Sequence, residues 1–303
     1  MEVLMRIGLI GLGKMGSNLA LNLKDHYREI IGFDMSEKIQ DDMKSQGVQV
    51  ASTITELIGA LSKPRVIWLM LPCGTPTDET ITTLSQKLQK GDIVIDGGNS
   101  KYMDSIHHSE ILHEKGIYFL DCGTSGGVRG ARYGACMMIG GDKEAYQYLE
   151  EIFKDLTVDG GLLYTGRAGS GHFMKMVHNA IEYGMMEAIG EGFQLLKESE
   201  FDYDLSKVAY NWNHGSVIRS WLMEIVQEQL EKDHNLEDIL GVVHTNGEAK
   251  WAVETALEKE VPMPAIVLSL MVRNASKDNE KFACKIVAAM RNGFGGHALE
   301  TKE

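Results

Sequence analysis

Residues 6–23 constrain the fold of this chain more than any other stretch. A short apolar run, Arg6–Ile10, meets a glycine-rich turn, Gly11-Leu12-Gly13-Lys14-Met15-Gly16, and helical spacing continues from there to about Leu23. A lone G-x-G-x-x-G is weak. Behind a strand and ahead of a helix it specifies a βα unit whose helix N-terminus faces an anion. Gly11 allows the tight turn, Gly13 lets the backbone approach a pyrophosphate, and Gly16 permits close helix–sheet packing. The next strand-like run, Glu29–Phe33, ends at Asp34, where a carboxylate would take the adenosine ribose hydroxyls. A carboxylate there repels a 2′-phosphate and no arginine follows it, so NAD is expected over NADP. The expected cofactor contacts are Gly11, Leu12, Gly13, Lys14, Met15, Gly16 and Asp34. The bland alternative is a turn without a ligand; strand, helix and acid together count against it.

Further runs of strand length follow at Val66–Leu71, Asp92–Asp96, Tyr118–Asp121 and Cys136–Ile139, with helical stretches between them. Strands alternating with helices imply a mostly parallel sheet covered on both faces. From about Ser170 the character changes. Segments 170–198, 204–231 and 248–258 carry helical spacing, and only Pro262 and Pro264 interrupt this half. The expected architecture is an α/β, Rossmann-type doubly wound sheet over residues 1–168, followed by an all-α domain over 169–303. The boundary is placed in TGRAGSG, near Thr165–Ser170.

Apolar content of 44% and charged content of 24% suit a soluble globular protein. No run is long and apolar enough to span a membrane, and no signal peptide is read at the N-terminus, so a cytoplasmic location is expected. Cys73, Cys122, Cys136 and Cys284 are scattered without a C-x-x-C pair, which fits reduced, mostly buried thiols and no metal site. A net charge of −13 argues against a nucleic-acid partner. A small anionic ligand needs only a local cluster of cations.

Three motifs remain. Asp96-Gly-Gly-Asn99-Ser100 and Asp121-Cys-Gly-Thr-Ser125-Gly126-Gly127 each follow a strand-like run. Ligands of open α/β sheets lie outside the carboxyl ends of the strands. Gly-Gly pairs let amides reach an anion there, with Asn99 and Ser125 adding side-chain hydrogen bonds. Taken singly, both are ordinary turns. The third motif is KMVHNAIEY, residues 175–183. At about 100° per residue, with Lys175 at zero, His178 falls near about −60°, Asn179 near about +40° and Glu182 near about −20°. All four polar groups share one face, with Val177, Ala180, Ile181 and Gly184 on the other. The small residues before it (GSGHF) and the Gly- and Met-rich turns after it suggest close packing, where a polar face is costly unless it meets a ligand.

With these motifs in view, the chain resembles the decarboxylating 6-phosphogluconate dehydrogenases, in their short bacterial form, within the β-hydroxyacid dehydrogenase superfamily. The resemblance covers essentially the whole chain. GLGKMGSNLALNL matches the cofactor turn, GGNS and TSGG match the two substrate loops, and K-x-x-H-N-x-x-E-Y is the most specific stretch. The resemblance implies oxidative decarboxylation of 6-phosphogluconate to ribulose 5-phosphate and CO₂, a step of the pentose phosphate pathway. Lys175 would be the general base at the C3 hydroxyl, which requires a neutral amine. Glu182 would be the acid that protonates C1 of the enediol. His178, Asn179, Asn99, Ser125, Gly126 and Gly127 would position substrate, with Asn99 also reaching the cofactor. Tyr183 and Arg273 match phosphate-contacting residues. RNGFGGH resembles the family's R-x-x-F-G-x-H tail, with Arg291 and His297 at its polar positions. In the family that tail enters a neighbouring subunit's site, which implies a homodimer or homotetramer with shared active sites.

The match departs at one place. Where the long-form family has K-G-T-G-K-W, this chain has Asn246-Gly-Glu248-Ala-Lys250-Trp251. Lysine has become asparagine and threonine has become glutamate, and a carboxylate beside a phosphate is unfavourable. Lys250 is either a compensating cation or a solvated lysine. Two other readings stay open: a β-hydroxyacid dehydrogenase acting on an unphosphorylated acid such as gluconate or 3-hydroxyisobutyrate, and a non-catalytic NAD-binding sensor.

Overall fold

The computed structural model describes residues 5–26, 29–278, 281–295 and 297–300. The chain forms two compact units, residues 1–179 and 180–303.

The first unit is built on one eight-stranded sheet. In chain order its elements are β1 (Arg6–Ile10), α1 (Lys14–Asp25), β2 (Glu29–Phe33), α2 (Glu37–Ser45), β3 (Gln49–Val50), α3 (Ile54–Gly59), β4 (Val66–Leu69), α4 (Thr75–Lys87), β5 (Ile93–Asp96), α5 (Tyr102–His113), β6 (Tyr118–Ser125), α6 (Gly127–Tyr133), β7 (Ala135–Gly141), α7 (Lys143–Asp155) and β8 (Thr157–Gly166). The strand order is β3-β2-β1-β4-β5-β6-β7-β8. All neighbours are parallel except β6 and β7. The Rossmann-type doubly wound sheet expected from the alternating pattern is therefore present.

The inner strands read as continuous apolar runs because both of their faces are covered. Side chains alternate between the two faces. Ile7, Leu9, Trp68, Ile93 and Ile95 join one buried cluster, and Ile10, Ile67, Leu69 and Val94 join the other. Trp68, fully buried, meets Phe153 of α7 edge to face, with ring centroids 5.6 Å apart.

Two local features differ from the sequence reading. Cys122–Ser125, past the expected strand Tyr118–Asp121, reads as a turn, yet β6 continues through Ser125, because β7 runs antiparallel alongside it and supplies backbone partners as far as Ser125 opposite Cys136. The segment 204–231 is two helices, α9 (Leu205–Asn213) and α10 (Trp221–Lys232). Gly215 with φ +83° breaks the run, and Ser220 restarts it by accepting the Met223 N–H on its side chain.

The second unit is helical among its described residues. Helix α8 (Ser170–Lys197) begins in the first unit and continues into the second, which adds α9, α10, α11 (Glu248–Glu258), α12 (Pro264–Ala275) and α13 (Phe282–Gly295). A small buried cluster of Tyr183, Ala249 and Leu270 ties α8, α11 and α12 together. No helix among the described residues is long and apolar enough to cross a membrane. The cysteines correct one expectation: only Cys122 is buried, while Cys73, Cys136 and Cys284 are exposed. Burial pushes the Cys122 thiol up to about 12.

Candidate active site

The turn after β1 brings its backbone close to the sheet. A Cβ on Gly16 would stand 1.9 Å from the Gly11 carbonyl oxygen, so only glycine lets α1 start there. By contrast, a Cβ on Gly13 would meet nothing within 4 Å, which leaves open space in front of the turn. Helix α1 has no side-chain cap and no acid in its first turn, so the amides of Lys14, Met15 and Gly16 keep their pull on an anion. Asp34, just past β2, holds the turn from the side. Its Oδ2 accepts the Leu12 N–H at 2.7 Å and its Oδ1 accepts the Ser36 N–H at 2.9 Å. Open space at Gly13, an uncapped helix and a fixed carboxylate fit a dinucleotide.

The loop after β5 is braced from below. Buried Asp96 accepts the Gly98 N–H on Oδ1 at 3.1 Å and the Ser100 hydroxyl on Oδ2 at 2.7 Å. Gly98 and Ser100 are buried, and Asn99 between them is exposed at the apex. At the end of β6, Ser125 is half-buried, Gly126 caps α6 and Gly127 opens it.

Helix α8 starts against β6. Asp121 is fully buried and receives the N–H of Gly169 on Oδ1 and that of His172 on Oδ2, both at 2.8 Å. A carboxylate at a helix N-terminus satisfies amides that lack intrahelical partners. Burial pushes the Asp121 carboxyl above its ordinary range, against the pull of His172 and the two N–H donors. The His172 imidazole is itself buried, with Nδ1 2.7 Å from the Ser105 hydroxyl of α5. Further along, a Cβ on Gly123 would fall 2.5 Å from the Cβ of Lys175, so glycine in β6 makes room for this lysine.

Four side chains of the first unit then join in one series. The Lys175 ammonium group donates to Asn179 Oδ1 at 2.8 Å. His178 Nδ1 lies 3.0 Å from the same oxygen, and His178 Nε2 lies 3.2 Å from Ser125 Oγ. The carbonyl oxygen of Asn179 only accepts, so Nδ1 carries a proton toward it, and Nε2 and the Ser125 hydroxyl share the next bond. The TSGG motif, His178, Asn179 and Lys175 are thereby linked. Lys175 and Asn179 are each 6% exposed, whereas Ile181, read as part of the opposite, covering face, is 50% exposed. The polar face of the helix is buried or half-buried along its length, and on the other face Ala180 is buried while Ile181 is exposed. Glu182 is half-buried one turn farther on.

In the second unit, the Tyr183 hydroxyl donates to Asn246 Oδ1, and the Asn246 N–H returns a bond to that hydroxyl at 3.3 Å. The Arg273 guanidinium stacks on the Tyr183 ring, 3.5 Å from its centroid. Glu248 opens α11 and is 3% exposed. Lys250 is exposed and lies 3.6 Å from Glu254, which makes it a surface pair rather than a replacement cation. Arg291 lies on α13, and the His297 carbonyl accepts from the Asn292 side chain at 2.8 Å.

Residues 6–166 match the model of the NAD binding domain of 6-phosphogluconate dehydrogenase, and residues 171–303 match that of its C-terminal domain. The chain belongs to the 6-phosphogluconate dehydrogenase family. It is 50% identical to the Bacillus subtilis protein YqeC over 298 residues, covering 98% of this chain and 100% of that one. It is 39% identical to the NAD(+)-dependent, decarboxylating 6-phosphogluconate dehydrogenase of Haloferax volcanii, covering 99% and 100%. Among solved structures, the Plasmodium falciparum 6-phosphogluconate dehydrogenase, described with NADP+ and with 6-phosphogluconate, superposes with a TM-score of 0.84 at 33% identity, over 98% of this chain and 67% of that one.

Within this family frame, sequence reading missed Asp121, His172 and Ser105. Their only signal is a buried acid, imidazole and hydroxyl in strand and helix positions, and their proximity arises from the fold.

Proposed function

We propose that this chain is a decarboxylating 6-phosphogluconate dehydrogenase that uses NAD, with residues 1–168 holding the cofactor and 169–303 supplying the helical side of the substrate site. The observation that carries the reading is the buried series Ser125–His178–Asn179–Lys175, which ends a basic side chain beside the strand-end loops. The Haloferax relative's name and the carboxylate at Asp34 support NAD.

When bound, NAD would supply the hydride acceptor, and the amides of Lys14, Met15 and Gly16 together with Asp34 would hold it. Lys175 takes the C3 hydroxyl proton on its nitrogen lone pair, while an N–H of the same amine keeps its bond to Asn179. The 3-keto acid so formed loses CO₂, and the protonated lysine then stabilises the enolate oxygen. Glu182 delivers a proton to C1. Asn99, Ser125, Gly126, Gly127, His178 and Asn179 hold the carboxylate and hydroxyl end, and Tyr183 and Arg273 take the phosphate. Arg291 and His297 complete a neighbouring protomer's site in a homodimer or homotetramer. Exposed Met185, Leu268, Ile286, Val287 and Met290 on α8, α12 and α13 support association.

The test is a spectrophotometric assay of NAD or NADP against 6-phosphogluconate and gluconate, with CO₂ followed in parallel. NAD reduction matched by CO₂ release from 6-phosphogluconate is the expected result. A higher kcat/KM on gluconate would favour the second reading, an unphosphorylated hydroxy acid, to which neutral Asn246 lends weight. A higher kcat/KM with NADP would overturn the cofactor assignment.

A further inference from the structure

We propose that Lys277 supplies the second cation of the phosphate subsite, the role that Asn246 leaves unfilled; this rests on the proposed reaction. Asn246 is neutral, and its side-chain carbonyl and its main-chain N–H both engage the Tyr183 hydroxyl. This residue positions the tyrosine and brings no charge. Arg273 stacks on the Tyr183 ring and gives one Nη2 donor to Met186 Sδ at 3.0 Å, a weak acceptor that an oxyanion outcompetes for the guanidinium N–H groups.

Lys277 lies four residues past Arg273, in the turn that closes α12, where its N–H bonds the Asn274 carbonyl at 3.2 Å. Its ammonium group donates to Thr245 Oγ1 at 3.1 Å, and Thr245 directly precedes Asn246. Lys277 is thus drawn toward the strip that fixes the tyrosine. One donor goes to the threonine, and two of its three remain for another acceptor. Among the described residues neither Arg273 nor Lys277 forms an ion pair with a carboxylate, in a chain of net charge −13. Two cations without a carboxylate partner, one planar and one pointed, stand with the Thr245 hydroxyl beside the tyrosine that Asn246 fixes. That donor set suits a phosphate monoester dianion. Glu248 does not oppose it by its place in the helix: a carboxylate in the first turn of α11 is favoured by the helix dipole.

The experiment compares the full-length wild type with Lys277→Gln, Lys277→Glu and Lys277→Arg, by steady-state kinetics with 6-phosphogluconate at saturating NAD and by calorimetric titration of 6-phosphogluconate. Lys277→Gln is expected to raise KM and Kd for 6-phosphogluconate about tenfold, the low end for a charged hydrogen bond at an exposed group, with kcat within about twofold. Lys277→Glu should weaken binding further, Lys277→Arg should restore most of it, and KM for NAD should stay at the wild-type value in all three. If the wild type turns over 6-phosphogluconate and Lys277→Gln and Lys277→Glu keep its KM and Kd, the Lys277 assignment alone is overturned. If the wild type neither binds nor oxidises 6-phosphogluconate, the proposed reaction fails and takes the assignment with it.

Discussion

The first two turns of α8 and the Tyr183–Arg273–Lys277 cluster are built in opposite ways. Around Lys175 the side chains are buried or half-buried, and acceptors and donors are held at fixed distances through Asp121, Asn179, His178 and Ser125. Around Tyr183 the cations are half-exposed or exposed, and hold their places by stacking, by a contact to Met186 Sδ and by a threonine hydroxyl. The difference matches what each is proposed to do. Proton transfer needs a donor and an acceptor within hydrogen-bond reach, and small displacements cost rate. A phosphate dianion is attracted from any direction, so charge matters more there than fine placement.

That contrast can be tested by asking which kinetic constant each residue moves. Replacing Lys175 with methionine removes the base with little change in volume. Single-turnover oxidation should fall by about 10³-fold or more, with 6-phosphogluconate binding largely kept. Glu182→Gln keeps the shape and removes the acid, and a loss of about 10² in kcat is expected in steady-state assays. Arg273→Met should act in the other manner: KM for 6-phosphogluconate rises by about 30-fold while kcat changes little. A large loss of kcat with unchanged KM in that variant would break the distinction between the two regions.

Two smaller effects probe the brace rather than the chemistry. Asp121→Asn turns a two-bond acceptor into a group whose NH₂ faces an N–H. Calorimetric unfolding should show a loss of about 2 kcal/mol, with a lower Tm. Ser105→Ala strips the hydroxyl from a buried imidazole and should cost about 1 kcal/mol, with a modest loss of kcat. Equal stability of Ser105→Ala and wild type would show that the α5–α8 bond does not help to hold the lysine helix.

Much of this arrangement is legible in the chain itself. The βα unit at residues 6–23 is local: strand, turn and helix are set by neighbours in sequence, so the glycine spacing reads directly. The shared face of Lys175, His178, Asn179 and Glu182 follows from helical geometry alone. What local spacing cannot supply is the partner across the fold. Ser125 and His178 are 53 positions apart, and Ser105 and His172 are 67 apart; only the closed sheet brings them together. The extension of β6 to Ser125 was hidden for the same reason, since an antiparallel neighbour makes a strand of a sequence rich in turn formers. Burial was legible in part: the small residues before Lys175 and the Gly- and Met-rich turns after Glu182 announce close packing, whereas the 50% exposure of Ile181 on the other face does not follow from them.

The oxygen of Asn179 accepts from Lys175 and His178 together, which fills both of its lone pairs. With its oxygen engaged from two sides, Asn179 works as a pivot: turning the amide would break both bonds at once, so the lysine and the imidazole are held in register with each other.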